Sequence, residues 1–225
     1  MNRFFNMDNK FFVFMGRVAD LILLNILCIL CCIPVVTAGA SITSLYYVTL
    51  KMARDEESYI IRSFFHSFRQ NIKQSLIINI IMLLTAAVLG FDLSIARNGS
   101  GVMYKVMFTL FIAFAFIYIL IFLYIYPILA KFYNSVKNTF VNAFLMAIRH
   151  LPWTFAMIGI TVAPVLILFI PMAQLQSILL MLYVLMGFST VAYFKSKIFV
   201  KIFDNYIPEE KDEHSNDLPS TESET

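Results

Sequence analysis

Four long segments of this 225-residue chain contain no lysine, arginine, aspartate or glutamate, and they are rich in aliphatic and aromatic residues. The segments are residues 21–50, 74–91, 106–130 and 150–194. A soluble domain cannot bury this much uncharged surface, whereas a bilayer core requires about 20 apolar residues per helical crossing. Lipid offers no partner to unpaired backbone groups, and the segments are too continuous for the alternating strands of a membrane barrel. The sequence therefore predicts an all-α, polytopic transmembrane helix bundle.

The positions of proline predict how many crossings these segments contain. Pro34 lacks a backbone donor and breaks a helix, so it divides the segment 21–50 into two short crossings. The segment 150–194 is long enough for two helices, which a turn from Pro171 to Gln176 would join. The six crossings are then expected near 14–33, 36–52, 75–94, 106–130, 153–171 and 177–196. If 21–50 forms one long helix instead, the count is five.

The lysines and arginines between the segments predict the orientation of the bundle. With six crossings and both termini in the cytoplasm, fifteen cations lie inside and only Arg97 and Lys105 lie outside. With five crossings and the N-terminus outside, the numbers become twelve inside and five outside. Because cytoplasmic loops carry the excess of positive charge, the sequence favours six crossings with both termini in the cytoplasm.

Two polar connectors on the predicted cytoplasmic side have the periodicity of amphipathic helices. In the segment 55–74, the apolar residues Ile61, Phe64, Phe65, Phe68 and Ile72 share one helical face. In the segment 131–149, apolar residues recur every four positions, at Phe132, Val136, Phe140, Phe144 and Ile148. We expect both helices to lie in the membrane interface with their cations toward anionic headgroups.

The same two connectors are the candidate site for a cytoplasmic partner, since helices laid across this face are suited to receive one. The alternative, which involves no protein partner, is that they only anchor the bundle at the membrane surface. The candidate docking or interfacial residues are Arg54, Arg62, Phe64, Phe68, Arg69, Lys73, Lys131, Lys137, Phe140, Phe144 and Arg149.

The chain divides into a membrane domain, residues 1–203, and an acidic tail, residues 204–225. The tail holds eight of the fourteen acidic residues and almost no apolar ones, which predicts a disordered extension. When the sequence of the membrane domain is aligned with itself at an offset of 80 residues, four residues are identical and the predicted elements follow in the same order. This alignment suggests a parallel internal repeat of residues 35–94 and 115–174.

The chemically reactive residues form no catalytic or metal-binding pattern. We find no HExxH, P-loop or GxGxxG motif. Cys28, Cys31 and Cys32 share a helix face, but no histidine or acid lies nearby in sequence to complete a metal site, so packing is the expected role. The polar residues Asn25 and Asn79 predict hydrogen bonds between membrane helices. We therefore expect no enzymatic activity, no cofactor or metal, and no nucleic-acid partner.

Several short motifs in the chain resemble one known family. They are PVVTAGA at 34–40, YYVTLK at 46–51, RDEE at 54–57, FFHSFRQN at 64–71, KNTFVNAF at 137–144 and RHLP at 149–152. Through them, residues 3–205 resemble the YesL-like family of bacterial integral membrane proteins, a domain of unknown function. The resemblance implies a multi-pass plasma-membrane protein whose gene lies near those for carbohydrate-importing ABC transporters, sensor kinases and glycoside hydrolases. It implies no catalytic or ligand-binding residue.

Together these observations predict an accessory or regulatory membrane protein linked to carbohydrate uptake of the ABC type. Besides the lipid bilayer, the expected partners are components of an ABC transporter or a sensor kinase. The alternative is a small permease in its own right, although the scarcity of polar groups inside the charge-free segments argues against it.

Overall fold

The computed structural model describes residues 10–56, 59–167 and 173–206, and within them the chain forms seven helices. The last helix, α7, consists of two α-helical parts joined by the π turn Tyr183–Gly187. The helices are α1 Lys10–Cys32, α2 Ala38–Ala53, α3 Ile60–Asn98, α4 Val102–Lys131, α5 Val136–Arg149, α6 Leu151–Ile167 and α7, which combines Ala173–Leu182 and Phe188–Asp204. The prediction of an all-α protein with several candidate membrane helices is confirmed.

The predicted helix break at Pro34 is confirmed. Helix α1 ends at Cys32, a single 3-10 turn covers Val35–Thr37, and α2 follows at once. The Thr37 hydroxyl donates to the Cys31 carbonyl oxygen at 2.8 Å and to the Pro34 carbonyl oxygen at 2.9 Å, which satisfies acceptors that the break exposes. The chain therefore doubles back, and α2 returns toward the end of the bundle where α1 begins.

The prediction of six crossings is not supported. By length and composition, four helices could cross a membrane, namely Phe11–Cys32, Ile60–Asn98, Val102–Lys131 and Gln176–Asp204. A fifth span results only if α5 and α6, which meet at an angle of 99°, are counted as one broken span. Helix α2 has 16 residues and is about 24 Å long, which is less than the roughly 30 Å of the hydrocarbon core.

Helix α2 lies inside the bundle. It packs against α1, α3, α4 and α7, and ten of its residues are buried. Several of these are hydroxyl residues that bond to backbone carbonyls of their own helix, as Thr43 does to Gly39 and Ser44 to Ala40. A helix shielded by its neighbours does not have to match the thickness of the bilayer.

The first connector is not a separate interfacial helix, which corrects the prediction for residues 55–74. It is continuous with the following crossing in α3, which has 39 residues and is about 58 Å long. Its buried face is also rotated from the predicted one: Phe64 and Ser67 are buried, whereas Ile61 and Phe65 are exposed. Packing against α2 selects this face, because small and polar residues allow the two helices to approach closely.

The second connector does form a separate amphipathic helix, α5. The Ser135 hydroxyl caps it by accepting a hydrogen bond from the backbone amide of Asn138 at 3.3 Å. Its buried residues are the small or flexible Thr139, Ala143, Met146 and Ala147, while Phe140 and Phe144 on the predicted face are half-buried.

The hydrogen bonds between helices that were expected for Asn25 and Asn79 are confirmed. Asn25 of α1 donates to the Val184 carbonyl oxygen at 2.7 Å and accepts from the Ser189 amide at 3.0 Å, which satisfies backbone groups freed by the π turn of α7. Asn79 of α3 donates to the Val35 carbonyl oxygen at 2.8 Å and accepts from the Tyr126 hydroxyl of α4 at 3.1 Å.

Three parts of the sequence-based prediction concern residues outside the described ranges or stay untested. Most of the acidic tail, residues 207–225, lies outside the described residues. So do the first two residues of the turn predicted from Pro171 to Gln176, whereas residues 173–176 of that turn are the first residues of α7, which corrects this part of the prediction. The internal repeat of residues 35–94 and 115–174 stays a prediction.

Candidate functional site

One end of the bundle collects most of the charged residues, and we call it the basic end. The N-termini of α1 and α3 and the C-termini of α2, α4 and α7 meet there. Two ion pairs tie it together: Arg17 of α1 pairs with Asp55 after α2, and Arg54 pairs with Asp204 at the end of α7. The Arg17 guanidinium also donates to the Tyr193 hydroxyl at 3.2 Å. These contacts join elements that are far apart in sequence.

A pocket of about 210 Å³ opens at the basic end where the two connectors meet. Cations from the ends of α2 and α4 enter it, and polar groups of α3 form part of its wall. The Lys51 ammonium lies 4.9 Å from the centre of the Tyr47 ring, a cation–π contact. The lining residues are Tyr47, Leu50, Lys51, Arg54, Glu56, Gln70, Asn71, Leu129, Ala130, Lys131, Phe132 and Tyr133.

Amide side chains of α3 hold the second connector against this pocket. The Gln70 side chain donates to the Tyr133 hydroxyl, and the Gln74 side chain donates to the Asn134 carbonyl oxygen at 2.5 Å. The loop between α4 and α5 is thereby fixed to α3. The structure thus brings together parts of both predicted connectors, although they are some 60 residues apart in sequence.

The predicted site residues separate into three groups by their environment. Arg54 and Lys131 line the pocket. The exposed cations are Arg62, Arg69, Lys73, Lys137 and Arg149. The aromatic members do not form an exposed surface, because Phe64 is fully buried and Phe68, Phe140 and Phe144 are half-buried. Phe64 stacks on Phe68 with ring centres 6.2 Å apart, so it stabilises the packing of α3.

Among the described residues, most cations of the basic end have no acidic partner. Within residues 10–56, 59–167 and 173–206, the ion pairs are those of Arg17 with Asp55 and of Arg54 with Asp204. The five exposed cations named above are therefore available to an external anion.

An aromatic cluster borders the basic end where α5, α6 and α7 meet. The Arg149 guanidinium lies 5.4 Å from the centre of the Tyr206 ring, and His150 Nε2 lies 3.1 Å from the Tyr206 hydroxyl oxygen. Burial and the neighbouring Arg149 charge lower the pKa of His150 at this bend. A neutral histidine is consequently favoured here, and it can share a hydrogen bond with the tyrosine.

Sequence reasoning missed a buried lysine and the cavity that it lines. A cavity of about 820 Å³ lies between α1, α2, α4, α6 and α7. Lys195 of α7 lines it with only 7% of its surface exposed, and its ammonium donates to the Tyr46 hydroxyl at 3.2 Å. In the sequence, Lys195 looked like one more flanking cation. The missed signal was that Ala192, Ser196 and Phe199 lie beside it on one helical face.

The three cysteines occupy the far end of α1 from the basic end. Cys28 is buried, and the Ser41 hydroxyl donates to its carbonyl oxygen at 2.8 Å and approaches its sulfur at 3.4 Å. Cys31 and Cys32 are half-buried. Among the described residues, no three histidine, cysteine or acidic side chains are placed to hold a metal ion together.

Comparisons with known proteins give one match. No curated protein and no solved structure is detectably similar to the chain. A family model described as "Protein of unknown function, DUF624" matches residues 21–93. The matched stretch contains most of α1, all of α2 and most of α3, including the break at Pro34 and the residues around Arg54. Residues 21–93 therefore carry a DUF624 family domain, within a protein that has several candidate membrane-spanning helices.

Proposed function

We propose that the protein is a non-enzymatic accessory component of a bacterial membrane assembly and that its basic end docks a cytoplasmic partner. The observation that carries this proposal is the convergence of Lys51, Arg54 and Lys131 on one pocket, surrounded by cations that have no acidic partner in the described part of the chain. The resemblance to the YesL-like family supports carbohydrate uptake of the ABC type as the setting. In that setting the partner is a transporter component or a sensor kinase.

The charge of the basic end determines which partner surface it fits. Cations that are exposed and unpaired raise the association rate with an oppositely charged surface and select against basic ones. The pocket of about 210 Å³ is below the usual size of a site for a small-molecule ligand. It is, however, large enough for one acidic side chain, whose carboxylate would meet the ammonium groups of Lys51 and Lys131, since Arg54 is already paired with Asp204. The partner surface is therefore expected to present aspartate or glutamate.

The proposal requires the basic end to face the cytoplasm. The positive-inside rule supports this orientation, because the opposite end carries few cations. Arg97 and Lys105 flank the loop between α3 and α4 there, and both are exposed. They provide matched control positions, since they are also exposed cations but lie at the end that the proposal leaves without a partner.

Crosslinking followed by purification from detergent tests the docking function. A variant with Lys51, Arg54 and Lys131 changed to glutamine removes the positive charge of the pocket and leaves Glu56 in place, and a control has Arg97 and Lys105 changed to glutamine. We expect a transporter or kinase component to be crosslinked to the native chain and to the control, and to be lost from the pocket variant. Recovery of no such component with the native chain, or equal recovery with both variants, would refute docking at this site.

The cavity of about 820 Å³ favours a second candidate function, a small permease. Its volume is sufficient for a solute of moderate size. The lining, however, is mostly aliphatic and aromatic, and Thr161 is among the few polar groups. A sugar needs many hydrogen-bond partners, which this lining does not supply. Sugar uptake by vesicles that contain only the purified chain would support the permease, and its absence would exclude it for the sugars tested.

A further inference from the structure

The cavity between α1, α2, α4, α6 and α7 is long and has one charged end. Along α7 its lining extends from Tyr183 through Phe188 to Lys195, which corresponds to about 18 Å of helix. The π turn forms the uncharged end, because Tyr183 and Val184 belong to it. Such turns often mark functional positions in helices. The wall between the two ends is apolar over most of its area, so the cavity resembles a channel for a hydrocarbon chain.

The charged end holds a lysine without an acidic partner. Only 7% of the surface of Lys195 is exposed. Its ammonium donates a hydrogen bond to the Tyr46 hydroxyl and lies 6.0 Å from the centre of the Tyr46 ring. In the part of the chain that the structure describes, both ion pairs lie at the basic end and neither includes Lys195. The other titratable side chains that line the cavity are two cysteines and two more tyrosines, none of which is a carboxylate.

A buried ammonium in an apolar membrane cavity is stabilised chiefly by an anion. Desolvating a charge is costly unless the charge is paired, and ionisable groups inside membranes usually mark binding or transport. One neutral tyrosine hydroxyl compensates only part of this cost. The position of Lys195, on the α7 part nearer the basic end, places the charge toward one membrane surface and the apolar channel toward the bilayer centre.

We propose that this cavity binds a single-chain anionic lipid, a long-chain fatty acid. The carboxylate contacts the Lys195 ammonium and the Tyr46 hydroxyl, and the hydrocarbon chain extends along α7 toward Tyr183. The volume of about 820 Å³ suits one chain and lies within the range of about 300–1,000 Å³ that ligand cavities have. The proposal is independent of partner docking, because it uses none of the residues at the basic end.

Binding of the fluorescent fatty acid cis-parinarate to the full chain in phosphatidylcholine nanodiscs tests the proposal. Oleate should displace the probe, whereas oleyl alcohol, which has the same chain without the charge, should not. Lys195→Met removes the charge and keeps an apolar stem, and we expect it to weaken binding at least about tenfold. The matched control is Lys197→Met, two residues away and exposed, which should bind as the native chain does.

A second variant acts on the channel and leaves the charge in place. Val191 lines the cavity four residues before Lys195, so Val191→Phe should fill part of the channel and weaken binding of a long chain. Its helix content and elution volume show whether it folds, which keeps the test valid if Lys195→Met is unstable. Displacement by the alcohol as readily as by oleate, or native affinity in a folded Lys195→Met or Val191→Phe chain, would overturn the proposal.

Discussion

Replacing Gly39 with alanine tests the close approach of α2 and α3, on which the position of the buried helix depends. A Cβ atom at residue 39 would lie 2.8 Å from the Ser75 carbonyl oxygen and 2.8 Å from Asn79 Cβ. Non-bonded carbon atoms prefer about 3.5–4.0 Å. Both neighbours belong to the body of α3, so neither can swing aside, and the helices would have to separate by about 1 Å.

The expected cost follows from these contacts. Overpacking a tight interface typically costs about 1–3 kcal/mol. Separation would also lengthen the hydrogen bonds from Asn79 to the Val35 and Val36 carbonyl oxygens, which are 2.8 and 3.3 Å long. Alanine recovers about 0.5–1 kcal/mol through its helix propensity, so the gain offsets only part of the loss.

Gly90→Ala is the matched control for this substitution. Gly90 also lies in a helix, but a Cβ atom there would have no neighbour within 4 Å. This variant should be as stable as the native chain or more stable by up to about 1 kcal/mol. The two alanine variants should therefore differ by about 1–3 kcal/mol in the free energy of unfolding.

Thermal unfolding in detergent, followed by the helical circular dichroism signal, measures this difference. For a chain of this size, 1 kcal/mol corresponds to about 2–4 °C in Tm, so the two variants should melt about 2–12 °C apart, with Gly39→Ala lower. If Gly39→Ala melts with Gly90→Ala or above it, the tight contact between α2 and α3 does not limit stability and the reasoning fails.

Three further predictions concern polar contacts and orientation. Asn25→Leu leaves two backbone groups of the π turn without partners, so it should lower the free energy of unfolding by about 1 kcal/mol in the same assay; an unchanged Tm would show that these groups find other partners. Tyr126→Phe removes only the bond to the Asn79 side chain and should cost about 0.6 kcal/mol, less than Asn25→Leu. In a background without the native cysteines, a membrane-impermeant maleimide should label Arg54→Cys only from the cytoplasmic side and Arg97→Cys only from the opposite side; the reverse pattern would exclude the proposed orientation.

The sequence predicted the local features of the fold well, because they depend on neighbouring residues. Pro34 breaks a helix wherever it lies, and the crossings expected near 75–94 and 106–130 require a connection between them. The structure confirms both the break and the connection, since α1 ends before Pro34 and α3 ends at Asn98. For Asn25 and Asn79 the sequence could predict hydrogen bonds between helices but could not name the partner residues, because these depend on which helices are adjacent.

The count of six crossings is not supported, because it included the short helix α2 as a crossing. Helix α2 is apolar for another reason, since it is surrounded by other helices and ten of its residues are buried. Similarly, hydrophobic periodicity in the first connector did not show where a helix ends. The apolar positions of residues 60–72 continue into the following crossing without a break, and α3 has no proline to interrupt it.

The two candidate sites differ in whether their charged side chains are exposed or buried. This difference explains why the sequence could indicate the basic end but not the cavity. The cations of the basic end are exposed. Their effect depends on how many of them there are and on which side of the membrane they lie, and both can be found by counting charges between apolar segments. Lys195 has the same formal charge, but its environment is apolar and its partner is one hydroxyl. Only the arrangement of five helices creates that environment. A charge count assigns equal weight to both kinds of lysine, whereas burial distinguishes them, and the buried one is the stronger candidate for a specific ligand.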